Sequence, residues 1–384
     1  MYHLLWICIE PLPDILYGVT FLSTTQELRK LNWLVTLIAP GPAGKHSINN
    51  VEITCIPKPK LYLLGQIIFH LRIIGFITRN WKSIDVVLFE HISAPWILPL
   101  RFLREAMRRQ GPLVVMDTRT LHMVSKDKES PKDRLRGFIL NAMNRIANYW
   151  ADGRTAITPR MAEAVHIPPE NLWGIWPSGV DTNKFAQTSL DRKWPLPGEP
   201  INIIYIGSLN YQRNLMSLSR AVEIVNSEGM LFTLTLLGDG TERNDLMEFA
   251  GRTSGRIKVL RPVPHDQIWQ MLATAHIGAL PFPDEEKFQV SSPIKMFEYM
   301  AAGMPMLATR IACHTDVVGI GEYVFWAENA SVDGLVTALS NIWANSDLLS
   351  NMGALSLNAV RDWTWHESAK KLKKALEYGL AMNN

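Results

Sequence analysis

Strand-length apolar runs alternate with helix-length segments along this 384-residue chain, and the alternation begins twice. The apolar runs of the first half occupy residues 4–10, 33–40, 83–90 and 112–120. Those of the second half occupy residues 201–207, 232–240, 257–263, 277–282 and 306–309. A strand followed by a helix and another strand is the repeating unit of a parallel sheet. The pattern therefore predicts an α/β protein of two Rossmann-like, doubly wound domains that face each other across a cleft.

A polar, proline-rich stretch separates the two halves of the pattern. It reads DRKWPLPGEP, from residue 191 to residue 200, and this composition is typical of a linker. We therefore predict an N-terminal domain at 1–186, a linker at 187–200 and a C-terminal domain at 201–366. A final helix at 367–384 has its alanines and leucines on one side, so we expect it to pack back on the N-terminal domain.

Composition places the chain among ordinary globular proteins, with 47% hydrophobic and 20% charged residues. Its three cysteines, Cys8, Cys55 and Cys313, are far apart and lack the spacing of a zinc site or a disulfide framework. We expect a reducing, cytoplasmic environment, because the amino end also lacks the positive region of a signal peptide. A nucleic-acid role is disfavoured, since the net charge is only +3.

The basic residues are concentrated in the first half of the chain. Through residue 190 there are 22 Lys and Arg against 15 Asp and Glu, and beyond it 17 against 21. The cations gather at 101–110, RFLREAMRRQ, and at 125–136, SKDKESPKDRLR. Such clusters predict a face that meets an anionic membrane surface or a phosphorylated acceptor. The alternative is a solvated helix face beside a loop.

The most apolar segment, LYLLGQIIFHLRIIGFI at 61–77, is too short and too polar to span a bilayer. Helical spacing relates Leu64, Ile67, Leu71 and Ile74, so the segment predicts an amphipathic helix. A core-facing helix is favoured over one that lies on a membrane surface.

A polar loop, a helix start and one carboxylate occur together in FQVSSPIKMFEYMAAGMPMLAT, at 288–309. Pro293 suits the first turn of a helix, since the amide it lacks would have no partner there. The amides of Ile294 and Lys295 would then point toward an anion. The alternative is an ordinary helix cap followed by a solvated Glu298.

Two further pieces follow strands of the second half. In GSLNYQR, at 207–213, a hydroxyl lies beside a tight turn, and Arg213 offers a planar fork for phosphate oxygens. LLGDG, at 236–240, lacks the third glycine and the acidic residue of a dinucleotide fingerprint, so it is weak by itself.

The ordered set of these pieces resembles the retaining GT-B glycosyltransferases, in particular the family 4 enzymes with the "glycosyl transferases group 1" pattern. The resembling segments are PSGVDTNKF, IGSLNYQRN, LLGDGTE, VLRPVPHDQIWQMLATAHIGALPFP and SSPIKMFEYMAAGMPMLAT. They cover about residues 150 to 365. The first half is similar only in its alternation, in Gly18 after the first strand and in the strand PLVVMDTRT.

The resemblance implies a nucleotide-sugar donor bound mainly by the C-terminal domain. Arg213 falls where the family has a Lys that grips the diphosphate, and the backbone amides of Ile294 and Lys295 would meet the distal phosphate. Glu298 matches the second Glu of the E-x7-E motif, which binds the ribose. The backbone of Val263 would meet the base.

Two positions depart from the family pattern. Ser208 stands where the family usually has an Arg, so one of two cations is missing. Val290 stands where the family has the first Glu of E-x7-E, which contacts the donor sugar, and the hydroxyl of Ser291 is a candidate replacement. Arg119 falls roughly where many members have a His that contacts the donor sugar.

The resemblance therefore assigns catalytic roles to Arg119 and Arg213. The expected donor-binding residues are Gly18, Gly207, Ser208, Arg213, Val263, Ser291, Ser292, Pro293, Ile294, Lys295 and Glu298. No D-x-D triplet is present to hold a metal. Fixed cations and helix amides would stabilise the leaving diphosphate without a divalent ion, and no cofactor is expected beyond the donor.

The predicted function is transfer of a sugar from a nucleotide-sugar donor to a glycan or lipid-linked acceptor in cell-surface polysaccharide assembly. The expected location is the cytoplasm, peripheral at the inner face of the plasma membrane. One alternative is a nucleotide-sugar epimerase or hydrolase on the same scaffold, with Glu90, His91 and Asp117 as acid and base candidates. Another is a non-catalytic nucleotide-binding relative, favoured by the departures at Ser208 and Val290.

Overall fold

The structure is a computed structural model that describes residues 1–12, 18–108, 110–121, 130–264 and 267–383. The chain forms two compact units. The N-terminal unit comprises Met1–Gly179 and Trp365–Asn384, and the C-terminal unit comprises Val180–Thr364. Each unit is an α/β domain with its own sheet, and the α/β class predicted from the alternation is confirmed.

The N-terminal unit is built on an eight-stranded sheet. Its strands are β1 His3–Ile7, β2 Leu34–Pro40, β3 Gly44–Ile48, β4 Val51–Ile56, β5 Val86–Phe89, β6 Leu113–Thr118, β7 Gly153–Ala156 and β8 Leu172–Ile175. Its helices are α1 Gly18–Lys30, α2 Tyr62–Arg79, α3 Ala94–Ile97, α4 Leu100–Ala106, α5 Pro131–Trp150, α6 Pro159–Ala164 and α16 Trp365–Asn383. The strand order is β3-β4-β2-β1-β5-β6-β7-β8. All neighbours are parallel except the β3–β4 pair, which is antiparallel.

Helices cover both faces of this sheet. Successive side chains of each strand point to opposite sides, so apolar strands present an apolar surface on each face. In β1, Leu4 and Trp6 pack with α1 and α16, whereas Leu5 and Ile7 pack with α2, α3 and α5. The strands covered on both faces, such as β1 and β5, are consequently apolar along most of their length. This continuous apolar character is the pattern from which the strands were predicted.

The last helix, α16, belongs to the N-terminal unit. Its buried side chains include Ala369, Leu372 and Leu376, which join the cluster formed by β1, β2 and α1. Gly174 in β8 allows the close approach, since a side chain there would lie 2.7 Å from the Cβ of Ala375. The final helix thus packs within the N-terminal unit.

The C-terminal unit contains a six-stranded sheet in which every pair is parallel. Its strands are β9 Ile201–Ile206, β10 Phe232–Leu237, β11 Ile257–Leu260, β12 Ile277–Leu280, β13 Met306–Thr309 and β14 Val324–Ala327. Its helices are α7 Thr182–Asp191, α8 Leu215–Ser227, α9 Arg243–Ala250, α10 Ile268–Ala273, α11 Glu286–Gln289, α12 Ile294–Ala301, α13 Ala312–Val318, α14 Val332–Ala344 and α15 Leu349–Ala359. The strand order is β11-β10-β9-β12-β13-β14.

This order places a topological switch point between β9 and β12. The chain moves outward from β9 to β10 and β11, then returns to the other side of β9 with β12. The loops that follow β9 and β12 therefore leave the sheet in opposite directions, and open parallel sheets bind their ligands at such points. The segments 207–213 and 281–298 both begin at this edge.

The predicted domain boundaries differ from the observed ones. The chain enters the C-terminal unit at Val180, before α7, and leaves it at Thr364. The guanidinium of Arg192, within the predicted linker, is buried and donates to the carbonyl oxygens of Leu272, Ala275, Ala302 and Gly303 at 2.7 to 3.0 Å. These carbonyls end α10 and α12, so the stretch is fixed to the unit rather than free between domains.

The apolar segment at 61–77 forms α2 and is apolar on two sides. Phe69, Ile73 and Ile77 are buried in the core, while Leu64 and Leu71 are exposed. The helix faces the core, but not through the predicted stripe. Ile67 of that stripe is also exposed, and Ile74 is partly buried against the core. Among the helices of the described ranges, none has the length and apolar character that a bilayer span requires.

Candidate active site

The turn that follows β9 is packed directly against the turn that follows β10. Gly207 and Gly238 both have positive φ, +135° and +159°. A side chain on Gly238 would lie 1.8 Å from the carbonyl oxygen of Gly207. The amide of Leu209 also donates to the carbonyl of Asp239 at 2.8 Å. The weak LLGDG motif is therefore explained by packing, since it supports the turn that carries the predicted site.

Arg213 is held over two aromatic rings near the switch point. It ends a short 3-10 turn, Tyr211–Arg213, and its Nε donates to Ser208 Oγ at 3.3 Å. Its guanidinium lies 5.0 Å from the ring of Phe282 and 5.1 Å from that of Phe288. Such cation–π contacts fix the direction of the guanidinium without neutralising its charge.

The next residue anchors this arrangement. Asn214 adopts the left-handed conformation, with φ +59°, and its amide donates to the carbonyls of Pro281 and Ala330 at 3.1 and 2.7 Å. The rings of Phe282 and Phe288 are stacked with their centroids 5.0 Å apart. Thr309 Oγ1 donates to the carbonyl of Phe282 at 2.6 Å. The loops after β9 and β12 are thus tied together by side-chain bonds.

The helix α12 begins one residue later than the pattern predicted. Pro293 is its N-cap, with φ −74° and ψ 109°, and the first helical residue is Ile294. The prediction that Pro293 lies in the first turn is therefore wrong by one position. The first amides of an α-helix have no partner within it, so those of Ile294 and Lys295 remain candidates for an anion.

The side chain of Lys295 extends toward the turn after β9. A Cβ at Gly207 would lie 3.0 Å from Lys295 Cε and 3.1 Å from its Nζ. The ammonium lies 5.3 Å from the ring of Tyr205 and 5.4 Å from that of Phe282. Burial, and then the charge of Arg213, lower the pKa of Lys295 to about 7. The sequence predicted a role only for the backbone of this residue.

The two positions that correspond to the glutamates of E-x7-E hold a valine, Val290, and a carboxylate, Glu298. Val290 is buried in the apolar interior, with its amide bonded to the carbonyl of Glu286 at 3.1 Å. Ser291 Oγ donates to the carbonyl of Phe288 at 2.8 Å and is hydrogen-bonded to the thiol of Cys313. Glu298 is 6% exposed, so the alternative of a solvated helix residue does not hold.

The remaining predicted residues of this unit are more dispersed. Ser292 is buried beside Ser291. Val263 follows β11 at the edge of the sheet and is partly buried against the core. The structure thus brings Gly207, Ser208, Arg213 and Lys295 together, and it places Val263 two strands away from β9.

The predicted residues of the N-terminal unit lie at the carboxyl edge of its sheet. Gly18 is the first residue of α1. The guanidinium of Arg119 stacks on Trp176 at 3.8 Å and donates to its carbonyl at 3.2 Å. Nη1 of Arg119 lies 3.7 Å from Asp117 Oδ2, and this charge partly offsets the lowering of the Arg119 pKa that burial causes.

The acid and base candidates of the alternative function differ in their surroundings. Asp117 is buried and accepts from Thr155 Oγ1 at 2.6 Å and from Trp176 Nε1 at 2.9 Å, so it holds neighbouring strands together. Burial, and then the charge of Asp117, raise the pKa of Glu90 to about 7. Burial lowers the pKa of His91 to about 4, and this imidazole is therefore neutral at pH 7.

The sequence did not predict the three aromatic rings that contact the cations of the site. Tyr205, Phe282 and Phe288 surround the two cations, yet an aromatic residue beside a strand looks like any core residue. The available signal was position, since Phe282 follows β12, the strand that flanks β9 at the switch point.

Comparisons with known proteins agree with this architecture. Residues 200–345 match the model of the family described as Glycosyl transferases group 1. A 2-deoxystreptamine glucosyltransferase from Streptomyces kanamyceticus is 24% identical over 322 residues, 76% of this chain and 80% of the relative. Sucrose-phosphate synthase from Thermosynechococcus elongatus has a TM-score of 0.75 at 15% identity and full coverage, 100%, of both chains. HepE from Anabaena, in complex with UDP and glucose, has a TM-score of 0.71 at 14% identity, covering 97% and 99%.

The fold and the matched segment together define the class: the chain is a glycosyltransferase with the GT-B fold. Its residues 200–345 match the group 1 model, so the predicted resemblance and the predicted enzyme class are confirmed. The assigned roles of individual site residues, retention of configuration and independence of a metal ion stay predictions.

Proposed function

We propose that this glycosyltransferase moves a sugar from a nucleoside-diphosphate sugar to a hydroxyl of a glycan or lipid-linked acceptor. The observation that carries the proposal is the position of Arg213. Its guanidinium lies over the ring of Phe282, which the ammonium of Lys295, in the first turn of α12, also contacts. A fixed cation next to the amides of a helix start suits a diphosphate. HepE, which shares the fold, is in complex with UDP and glucose, and this supports the choice of donor class.

The proposed reaction needs no further reactant. The acceptor hydroxyl oxygen forms a bond to the anomeric carbon, and the bond from that carbon to the diphosphate oxygen breaks. The electron pair of the broken bond leaves with the diphosphate, and the hydroxyl proton passes to the leaving phosphate or to water. Arg213 and the amides at the start of α12 stabilise the charge that develops on the leaving oxygen. Retention of configuration and metal independence form part of the proposal.

A panel of nucleotide sugars tests the proposal, with nucleoside diphosphate release as the measurement. We expect turnover with one donor and its near loss in Glu298→Ala, because that carboxylate would no longer bind the ribose. Glu248→Ala, an exposed acid on α9, is the matched control and should keep wild-type turnover. Undiminished release by the Glu298 variant would contradict the site, and unchanged turnover in the presence of EDTA is expected if no metal takes part.

Hydrolysis or epimerisation of the donor is a second candidate, and Glu90 favours it. A carboxyl group with a pKa of about 7 is able to act as an acid or a base near neutral pH. Analysis of the products formed without acceptor separates the two functions. Free sugar or an epimerised donor at the rate of transfer would favour the second candidate, and the absence of both would favour transfer.

We also propose that the N-terminal unit meets an anionic membrane surface at the inner face of the plasma membrane, where a lipid-linked acceptor would lie. The supporting feature is the first three turns of α5, which we call the α5 patch. Its apolar side chains, Leu135, Phe138 and Ile139, are 60%, 71% and 46% exposed at helical spacing. Its cations, Lys132, Arg134 and Arg136, are also exposed. Apolar side chains among cations suit the interface of an anionic bilayer.

The other predicted basic cluster contributes less to such a surface. Arg104 is buried in an ion pair with Asp152, and Arg101 donates to the carbonyls of Tyr149 and Ala151. These two cations serve the interior of the unit. Arg109, Lys126 and Lys128 lie outside the described residues.

A further inference from the structure

Ser208 stands where the family usually has an Arg, so the second charge of a bound diphosphate needs a cation from another position. The resemblance implies two cations in the loop after β9, and this loop supplies only Arg213. The inference below rests on the proposed function, since it concerns the same diphosphate.

A second cation reaches this loop from another element. Lys295 lies on α12, but its Nζ is next to Gly207, the residue that precedes Ser208. The ammonium is 5.4 Å from the ring of Phe282, and the guanidinium of Arg213 is 5.0 Å from the same ring. The ring of Phe282 thus contacts both cations, and both lie beside the turn that follows β9.

The ammonium of Lys295 lies among groups of both charges. Arg213 disfavours the ammonium of Lys295, while Glu298 on α12 favours it. Its neighbours Tyr205, Cys313 and His314 are neutral at pH 7, since burial raises the pKa of Tyr205 and of Cys313 to about 12 and lowers that of His314 to about 4. Two further carboxylates act on these neighbours, Glu242 on Tyr205 and Asp316 on Cys313. Two cations held beside one turn favour an anion between them.

We propose that the side-chain ammonium of Lys295 is the second cation of the diphosphate site, taking from α12 the role that Ser208 leaves unfilled. It would contact the phosphate distal to the nucleoside, which carries the sugar before transfer and the new negative charge after it. When the bond from the anomeric carbon breaks, the electron pair stays on that phosphate oxygen. The ammonium therefore stabilises the leaving group more than the donor.

This arrangement has a pH dependence that an arginine would not share. Without ligand, the ammonium loses its proton as the pH rises through about 7. A bound diphosphate favours the charged form, so binding takes up a proton at and above this pH. The affinity for a diphosphate should consequently fall between pH 7 and pH 9, whereas Lys295→Arg should remove this fall because its charge persists.

Calorimetric titration with uridine, adenosine and guanosine diphosphates and the matching monophosphates tests the proposal. We expect Lys295→Met to weaken diphosphate binding about tenfold to a hundredfold, the effect of losing one charged hydrogen bond or ion pair. Monophosphate binding should change less than about threefold, because the distal phosphate is absent. Lys295→Arg should restore most of the affinity. Lys258→Met, an exposed lysine on β11, is the control.

The outcomes separate the inference from the function on which it rests. A wild-type protein that binds diphosphate while Lys295→Met binds it equally well overturns the inference alone. Equal losses for monophosphate and diphosphate in Lys295→Met, unrestored by Lys295→Arg, also overturn it, since a packing defect would act on both. A folded wild-type protein that binds none of the three diphosphates overturns the proposed function itself.

Discussion

A single glycine decides the spacing of the two turns beneath the candidate site. Gly238 combines positive φ with a hydrogen where a Cβ would meet the carbonyl of Gly207. We expect Gly238→Ala to lower the free energy of unfolding by about 3 kcal/mol or more, because backbone strain and a collision with backbone add. Gly229→Ala, also at positive φ but with open space around it, should cost only about 1 kcal/mol. Urea unfolding measures both, and equal losses would contradict the role of the close approach.

At the same scale, the sequence predicted Arg213 as a candidate site residue but did not predict where the side chain of Lys295 points. Arg213 was predicted because its place in a motif fixes both its residue type and its distance from β9. The side chain of Lys295 was not, since a long side chain on the first turn of a helix has several directions open to it. Only the packing of β9 against β12 shows that this lysine reaches Gly207. The tertiary structure, rather than the motif, brings the second cation to the turn.

At the scale of the element, the ends of α10 and α12 depend on one arginine. Arg192 offers its donors to carbonyls of both helices, and burial lowers its pKa to about 10. We expect Arg192→Met to reduce the free energy of unfolding by about 3 kcal/mol, because buried carbonyls lose a charged partner. Arg192→Lys should recover part of the loss.

Arg252→Met is the control for this prediction, since Arg252 lies in an exposed ion pair with Glu248. Such pairs contribute about 0 to 1 kcal/mol, so its unfolding midpoint should be close to that of the wild type. A similar midpoint for Arg192→Met would show that the carbonyls find other partners.

The elements themselves were predicted unevenly, and burial explains the difference. Strands covered on both faces, such as β1 and β9, gave continuous apolar runs. The strand β3 reads GKHSI and is mostly exposed, so its pairing with β4 left no apolar signal. The linker was misplaced because its prolines are typical of exposed chain. The first part of that stretch belongs to α7, and the buried guanidinium of Arg192 binds it to the interior of the unit.

At the scale of the whole molecule, the α5 patch predicts binding to anionic vesicles. We expect sedimentation with phosphatidylcholine vesicles that contain phosphatidylglycerol, and a loss of at least about tenfold in Phe138→Glu, because the patch loses an apolar side chain and gains a like charge. Ile320→Glu, at a fully exposed apolar residue of the C-terminal unit, should bind as the wild type does. Equal binding to pure phosphatidylcholine would contradict the role of the cations.

The position of α16 has a consequence for the order in which the protein is made. The first unit to be synthesised lacks its last helix until the whole of Val180–Thr364 has followed. Until then, the apolar surface of α1 and β8 that α16 covers is open to water and to other chains. The N-terminal unit therefore completes its core only after Val180–Thr364 has been synthesised, although its strands leave the ribosome first.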